Sequence, residues 1–343
     1  MKTSLLGYNL PQLKSLLIEL GEPAFRAGQI YSALHEGLEL EEITNIPKTL
    51  KAKLDENYLG QCMKIVKTQS SSTAEKYLFE TQDSKLVEGV YMRHGYGDTL
   101  CISTEIGCPM GCAFCASGKN GLDRKLSAAE MLSAVLIVNR LNGGTVKKRA
   151  VTNIVMMGMG EPLDNYDESI RFIRLVSDKD GINISPRNIS LSTAGVVPGI
   201  ERLSEEGLPV NLTISLHAPT DELRNRIMPV NRVYPLNKLL PACWNYLEKT
   251  GRRINIEYIM IEGFNDSREC ALKLASLLRG RQTHVNLINF NRVDGAPFRG
   301  VTRNAIMNFL HILEQNGVSA TTRRSLGAEI EGACGQLRNR NVK

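Results

Sequence analysis

The sequence predicts an α/β fold: a partial (β/α)6 barrel with an N-terminal helical accessory domain and a small β-meander. Three observations lead there. Residues 9–58 place apolar side chains at helical spacing, whereas residues 63–104 form short β-branched and aromatic runs separated by polar turns. From Leu100 onward a strand-then-helix pattern repeats six times. Such alternation means parallel strands joined by right-handed crossovers, and six units fall short of the eight in a closed barrel.

Taken in order, Asn9 caps a first helix with Pro11 in its first turn. Leu13, Leu16, Leu17 and Leu20 line its inner face and Gly21 stops it. Two more helical patterns cover 25–34 and 47–58. The meander comprises 63–68, 76–80, 87–92 and 100–104, the last of which also opens the barrel. Barrel strands follow at 152–157, 188–192, 211–216, 254–261 and 284–290. Amphipathic segments at 128–141, 168–177, 199–205, 236–248, 268–278 and 302–315 supply the helices. This divides the chain into an accessory domain (1–95), a barrel (96–317) and a partly irregular C-terminal segment (318–343).

Of the 343 residues, 42% are apolar and 23% charged, which excludes wholesale disorder. No window approaches the roughly 18 apolar residues that span a bilayer. The first residues lack the apolar region and cleavage site of a signal peptide, so the expectation is a cytoplasmic protein without membrane partners. The net charge of +6 lies outside residues 1–85, which carry ten basic and eleven acidic side chains. That excess suits a polyanionic partner. Lys119, Arg124 and Lys125, with Arg323, Arg324, Arg338 and Arg340, are its candidate contacts, and Lys343 is a further basic residue of the tail. Eight cysteines are too few for a disulfide scaffold in so long a chain.

Three of those cysteines fall within eight residues, in Cys108-Pro-Met-Gly-Cys112-Ala-Phe-Cys115 directly after the first barrel strand. Thiolates spaced by four and three can wrap one soft metal centre, with Gly107 and Gly111 letting the backbone bend. Structural zinc needs a fourth ligand, for which Cys101 or His217 are available, while an iron–sulfur cube held by three thiolates keeps one iron open. Both readings stand at this point. Other polar groups gather where barrel strands end, which is where α/β barrels build their sites. They are Gly158-Met159-Gly160-Glu161-Pro162, Ser192, Ser215-Leu216-His217 and Asn291. Taken singly, the glycine-rich segment reads equally as a Gly-Pro turn with a solvated Glu, and the others read first as hydrogen-bonded structural residues. Cys334, alone in Gly332-Ala333-Cys334-Gly335, and Glu88, in an apolar strand, would by themselves be a buried hydrophobe and an outward-facing carboxylate. Cys62, Cys243 and Cys270 read as structural.

The Cys-x-x-x-Cys-x-x-Cys loop with an aromatic before its last cysteine resembles the signature of radical S-adenosylmethionine (SAM) enzymes. The Gly-Met-Gly-Glu-Pro, Leu191-Ser192-Thr193, Ser-Leu-His and Ala333-Cys334-Gly335-Gln336-Leu337 motifs narrow the resemblance to the RlmN/Cfr family of RNA adenine methyltransferases. It extends over nearly the whole chain. The resemblance implies a [4Fe-4S] cluster on Cys108, Cys112 and Cys115, and SAM, two molecules per turnover, bound by Gly160, Glu161, Ser192, Ser215, Leu216, His217 and Asn291. It also implies that Cys334 accepts a methyl group and that Cys101 forms a transient disulfide with Cys334 to release product. Glu88 would remove the proton from C2 of adenine. The implied partners are 23S rRNA, tRNA and an electron donor such as flavodoxin or ferredoxin. Pro162 favours C2 over the C8 chemistry of the Cfr-like branch, whose members often have Ala there. Arg292 stands where relatives commonly have Pro, so that loop departs from the pattern. A zinc-stabilised RNA-binding module is the non-enzymatic alternative.

Overall fold

The computed structural model describes residues 1–95, 97–293, 295–323 and 326–338; Arg324, Arg340 and Lys343 therefore lie outside the described residues. The chain opens with β1 (Thr3–Ser4), α1 (Leu10–Glu19), α2 (Arg26–His35), α3 (Lys48–Asp55) and β2 (Tyr58–Leu59). Asn9 caps α1 in a reciprocal box with Gln12, as its sequence promised. The third helical pattern ends early: Tyr58 and Leu59 leave α3 and pair in parallel with Thr3 and Ser4.

The meander strands β3 (Met63–Ser70), β4 (Ala74–Thr81) and β5 (Leu86–Met92) precede β6 (Asp98–Cys101), β7 (Glu105–Gly107) and β8 (Leu122–Lys125). Then come α4 (Ala128–Leu141), β9 (Val151–Met156), α5 (Tyr166–Val176), β10 (Ile189–Thr193), α6 (Val197–Glu205) and β11 (Asn211–Ser215). The chain continues through α7 (Asp221–Ile227), α8 (Leu236–Thr250), β12 (Ile254–Met260), α9 (Arg268–Leu278), β13 (Thr283–Asn289), α10 (Arg303–Gln315) and β14 (Ala320–Arg323). The six expected strand–helix units are present. A further parallel strand, β14, pairs with β13 inside the stretch expected to be partly irregular.

One ten-stranded sheet runs in the order β14-β13-β12-β11-β10-β9-β6-β5-β4-β3. It is parallel from β14 to β6 and antiparallel from β6 to β3. The turn between β5 and β6 falls at the expected boundary near residue 95, yet the hydrogen-bond ladder crosses it. Cys101 pairs with Val90 on the meander side and with Val155 on the barrel side. One apolar core extends from Leu5 to Leu337. A smaller apolar cluster, including Phe114, Met228, Ile259 and Phe290, sits beside the cysteine loop at the carboxyl ends of the strands.

Candidate active site

The cysteine loop hangs between β7 and β8, whose antiparallel pairing of Glu105 with Lys125 and Ile106 with Arg124 closes its base. Gly107 takes φ 83°, and a Cβ there would lie 2.0 Å from the Gly121 carbonyl oxygen, so only glycine fits. Cys108, Cys112 and Cys115 then line one cleft of about 810 Å3 including its open mouth, together with Glu161, Ser192, Ser215, His217 and Cys334. Among the described residues, no three His, Cys, Asp or Glu side chains converge on a point where a single ion could sit. All three cysteines line the one cleft, and a soft thiol set of this kind suits an iron–sulfur cluster. Burial raises all three, Cys108 to about 12, so a thiolate set here requires the positive charge of a metal to remain deprotonated. The donor set and the cleft therefore fit an iron–sulfur cluster with a nucleoside cofactor beside it.

The loop after β9 packs tightly over β7. Gly160 adopts φ 103°, and a Cβ there would sit 2.7 Å from that of Glu105. Glu161 is buried and holds its own surroundings together: Oε1 accepts from the Leu163 amide at 3.0 Å and Oε2 from the Ala194 amide at 2.7 Å. The Glu161 amide in turn donates to Glu105 Oε2 at 2.9 Å. Ser192 and Ser215 place their hydroxyls 3.5 Å apart at the ends of β10 and β11. His217 accepts from the Ile259 amide at Nδ1, which puts the ring proton on Nε2, and its ring meets Phe114 edge-on at 4.8 Å. Burial, then Arg224, lowers it to about 3, so it is neutral. The Leu216 side chain belongs to the core; its amide donates to the Glu257 carbonyl and its carbonyl accepts from Arg224.

These buried acids set a pH dependence. Burial raises Glu105 to about 8 and Glu161 to about 7, against an ordinary 4.5. The folded protein thus keeps protons that the unfolded chain has released. Their stabilising contribution is full below pH 4.5 and drains as pH rises through 7 to 8. His35 and His217, held at about 4 and 3, are neutral when folded but still half-charged at pH 6.5 when unfolded, so they offset the loss by roughly 0.4 kcal/mol each as pH rises from 6.5 to 8. Ligand-free protein is expected to lose about 2 kcal/mol between roughly pH 6.5 and 8, seen as a falling melting temperature. Glu105→Gln should flatten most of that slope, and a flat profile in the unsubstituted protein would contradict the assignment.

Cys334 lies on a segment clipped to the cysteine loop. The Ala116 amide donates to the Gly335 carbonyl at 2.8 Å and the Ser117 hydroxyl to the Leu337 carbonyl at 2.7 Å. Cys334 also lines a second, wider cavity together with Cys101, at the end of β6. Met157, Ile288 and Arg323 form the rest of the wall shared by the two cavities. Burial, followed by the proximity of Cys334, pushes Cys101 up to about 12, opposed by Arg323. Among the described residues all cysteines are free thiols. Asn291 lines the second cavity, not the first, and donates to the Cys334 carbonyl at 3.2 Å. Glu88 lines neither of the two. Its carboxylate is buried against Lys76 and the Arg338 amide, and burial raises its proton affinity against the pull of Lys76.

Several expected RNA-contacting cations are otherwise engaged. Arg124 forms paired bonds to Asp83 and Glu130, tying β8 to the meander and to α4, and Lys125 binds Asp164 at 2.9 Å. Arg323 turns inward: Nη1 meets Glu257 Oε1 at 3.4 Å. Two residues of the site escaped sequence reasoning. Glu257, in the middle of β12, lines the cysteine cleft; its Oε1 accepts from Asn286 at 3.0 Å and its Oε2 meets no donor among the described residues. Arg224 is wholly buried and binds the carbonyls of Ala194, Ser215 and Leu216 and the Asn231 side chain, fastening the ends of β10 and β11.

Comparison with known proteins agrees with this geometry. Residues 102–275 match the radical SAM superfamily, and residues 3–59 match the ribosomal RNA large subunit methyltransferase N-terminal domain. A Lachnoclostridium phytofermentans protein described as a probable dual-specificity RNA methyltransferase RlmN is 46% identical over 341 residues, covering 98% of this chain and 94% of that one. A Clostridium tetani protein of the same description is 44% identical, covering 99% and 97%. Among solved structures, a radical SAM methyltransferase from Sphaerobacter thermophilus superposes with a TM-score of 0.95 at 40% identity, covering 98% of this chain and 99% of that one.

Proposed function

The chain belongs to the RlmN family of radical SAM RNA methyltransferases, and from that membership we propose that it methylates C2 of a specific adenosine in 23S rRNA and of an adenosine in the anticodon loop of certain tRNAs. The observation that carries this reading is the position of Cys334, whose residue lines both the cleft of the three loop cysteines and the cavity containing Cys101. Cys108, Cys112 and Cys115 would hold the [4Fe-4S] cluster. Gly160, Glu161, Ser192, Ser215 and His217 would surround SAM, with Leu216 and Asn291 acting through backbone and segment contacts. When bound, cluster and SAM supply a methyl group and a carbon radical.

The protein's own residues do the rest. Adenine C2 is an electron-poor carbon, too weak a nucleophile to take a methyl cation directly. Cys334 accepts the methyl group on sulfur and presents that carbon to the base. Glu88 receives the C2 proton, a role favoured by a carboxylate whose proton affinity burial has raised. Cys101 then attacks the Cys334 sulfur as a thiolate, forming a disulfide; the bond from that sulfur to the product carbon breaks with its electron pair on the carbon, which takes up a proton to become the methyl group, and an external dithiol reduces the disulfide and is itself oxidised. The target base must leave its stack to reach this interior. Among the described residues no helix is long and apolar enough to cross a membrane. We read the enzyme as cytoplasmic, drawing electrons from a flavodoxin or ferredoxin.

Anaerobic reconstitution with an rRNA fragment and with tRNA, followed by mass-spectrometric mapping of the methyl group, tests the proposal. Methyl at C2 of adenosine in both RNAs is expected. Methyl confined to C8 would assign the Cfr-like activity instead, and zinc without iron or sulfide in anaerobically purified protein would overturn the reading altogether.

A further inference from the structure

The meander carries a buried cation that the chemistry above leaves unused. Lys76, on β4, has a side chain only 7% exposed, and its ammonium lies 3.3 Å from Glu88 Oε1 on β5. An ammonium at this depth costs several kcal/mol to desolvate and is rarely found without a partner. Lys76 has two, since Nζ also reaches the Glu331 carbonyl at 3.4 Å. The other oxygen of Glu88 accepts a 2.6 Å hydrogen bond from the Arg338 amide. Glu331 and Arg338 bracket Cys334, so one ion pair grips the thiol-bearing segment at both ends. The charged groups facing Glu88 are Lys76 from β4 and Glu331 from the segment.

We propose that Lys76 is a positioning residue whose ion pair with Glu88 clasps residues 331–338, and that transfer of the substrate proton to Glu88 opens this clasp and frees Cys334 to meet Cys101. The inference rests on Glu88 being the proton acceptor. The step moves one proton and no electrons: the C2–H bond breaks, its electron pair stays on the base, and the proton bonds to the Glu88 carboxylate. A neutral Glu88 no longer attracts Lys76 and is a weaker acceptor for the Arg338 amide. Proton removal is thereby tied in time to resolution, and Cys334 stays pinned until the base has lost its hydrogen.

Hydrogen–deuterium exchange on the RNA-free holoprotein tests the clasp, with the Arg338 amide as a direct reporter. Glu88→Gln, which keeps size and removes charge, and Lys76→Met should each speed exchange across 331–338 by roughly tenfold, with β12 and β13 unchanged. Lys76→Arg should restore the slow exchange, and the oxidant diamide should close the Cys101–Cys334 disulfide faster in E88Q. Unchanged exchange in the segment, or an equal rise throughout the barrel, would overturn the clasp. If K76M does not fold, E88Q carries the same measurement. Turnover of E88Q at the unsubstituted rate would overturn the proton trigger by removing the base, a failure distinct from any seen in exchange without RNA.

Discussion

Cys101→Ala protein, incubated anaerobically with SAM, reductant and RNA, is expected to accumulate a covalent protein–RNA species and to turn over slower by on the order of a thousandfold. Cys101 and Cys334 line one cavity. An attack by Cys101 on the Cys334 sulfur is therefore intramolecular, and a dissolved thiol cannot match that proximity. Steps before resolution do not use Cys101, so the adduct should form and then stall. A denaturing gel before and after nuclease digestion gives the answer, and clean multiple turnover by the variant would remove Cys101 from the mechanism. Because burial holds the Cys101 thiol at about 12, resolution in the unsubstituted enzyme should also quicken as pH rises toward 9.

Arg224→Met is expected to lose about 3 to 5 kcal/mol of stability, a fall in melting temperature of roughly 10 °C. The guanidinium is fully buried and donates to Leu216 O at 3.1 Å, Asn231 Oδ1 at 2.8 Å, Ala194 O at 2.5 Å and Ser215 O at 3.2 Å. Methionine fills similar space but leaves those acceptors without this donor in a dry environment. The desolvation that lowers Arg224 itself to about 10 opposes the gain from its bonds, so the loss should stay below the sum of four separate bonds. Its acceptors position Ala194, Ser215 and Leu216 at the strand ends, so SAM affinity should fall along with the melting temperature. A shift below about 2 °C would show that water or neighbouring donors take over.

How far the architecture could be foreseen depends on element length. α4 and α9 end on the residues expected, because Ser127 and Ser267 cap long amphipathic runs. The seven-residue α7 and the four-residue β14 are too short to show a period, and both went unforeseen. The thiol loop was legible because ligand spacing survives in one dimension. Which side of a wall a residue faces does not survive: nothing in the sequence says that Asn291 lines the cavity it shares with Cys101, and only the fold places it there. Arg224 sits among Asp221, Glu222 and Arg226 and reads as a solvated helix face; only the fold turns it inward. Glu257 could have been found. It is a carboxylate inside an apolar strand, the same setting as Glu88, which was singled out only through the family resemblance.

The unbroken ladder from β3 to β14 has a consequence for how RNA is handled. An enzyme whose recognition unit hung on a hinge could mould itself around different partners, but here the hydrogen bonds either side of Cys101 weld the meander to the catalytic wall. With the sheet continuous across this boundary, accommodation is expected to fall to the nucleic acid. Two RNAs of unrelated overall shape can share this enzyme only where each can be bent locally into the same small knot around the adenosine. On the function proposed above, substrates would then be selected by the pliability of the RNA itself.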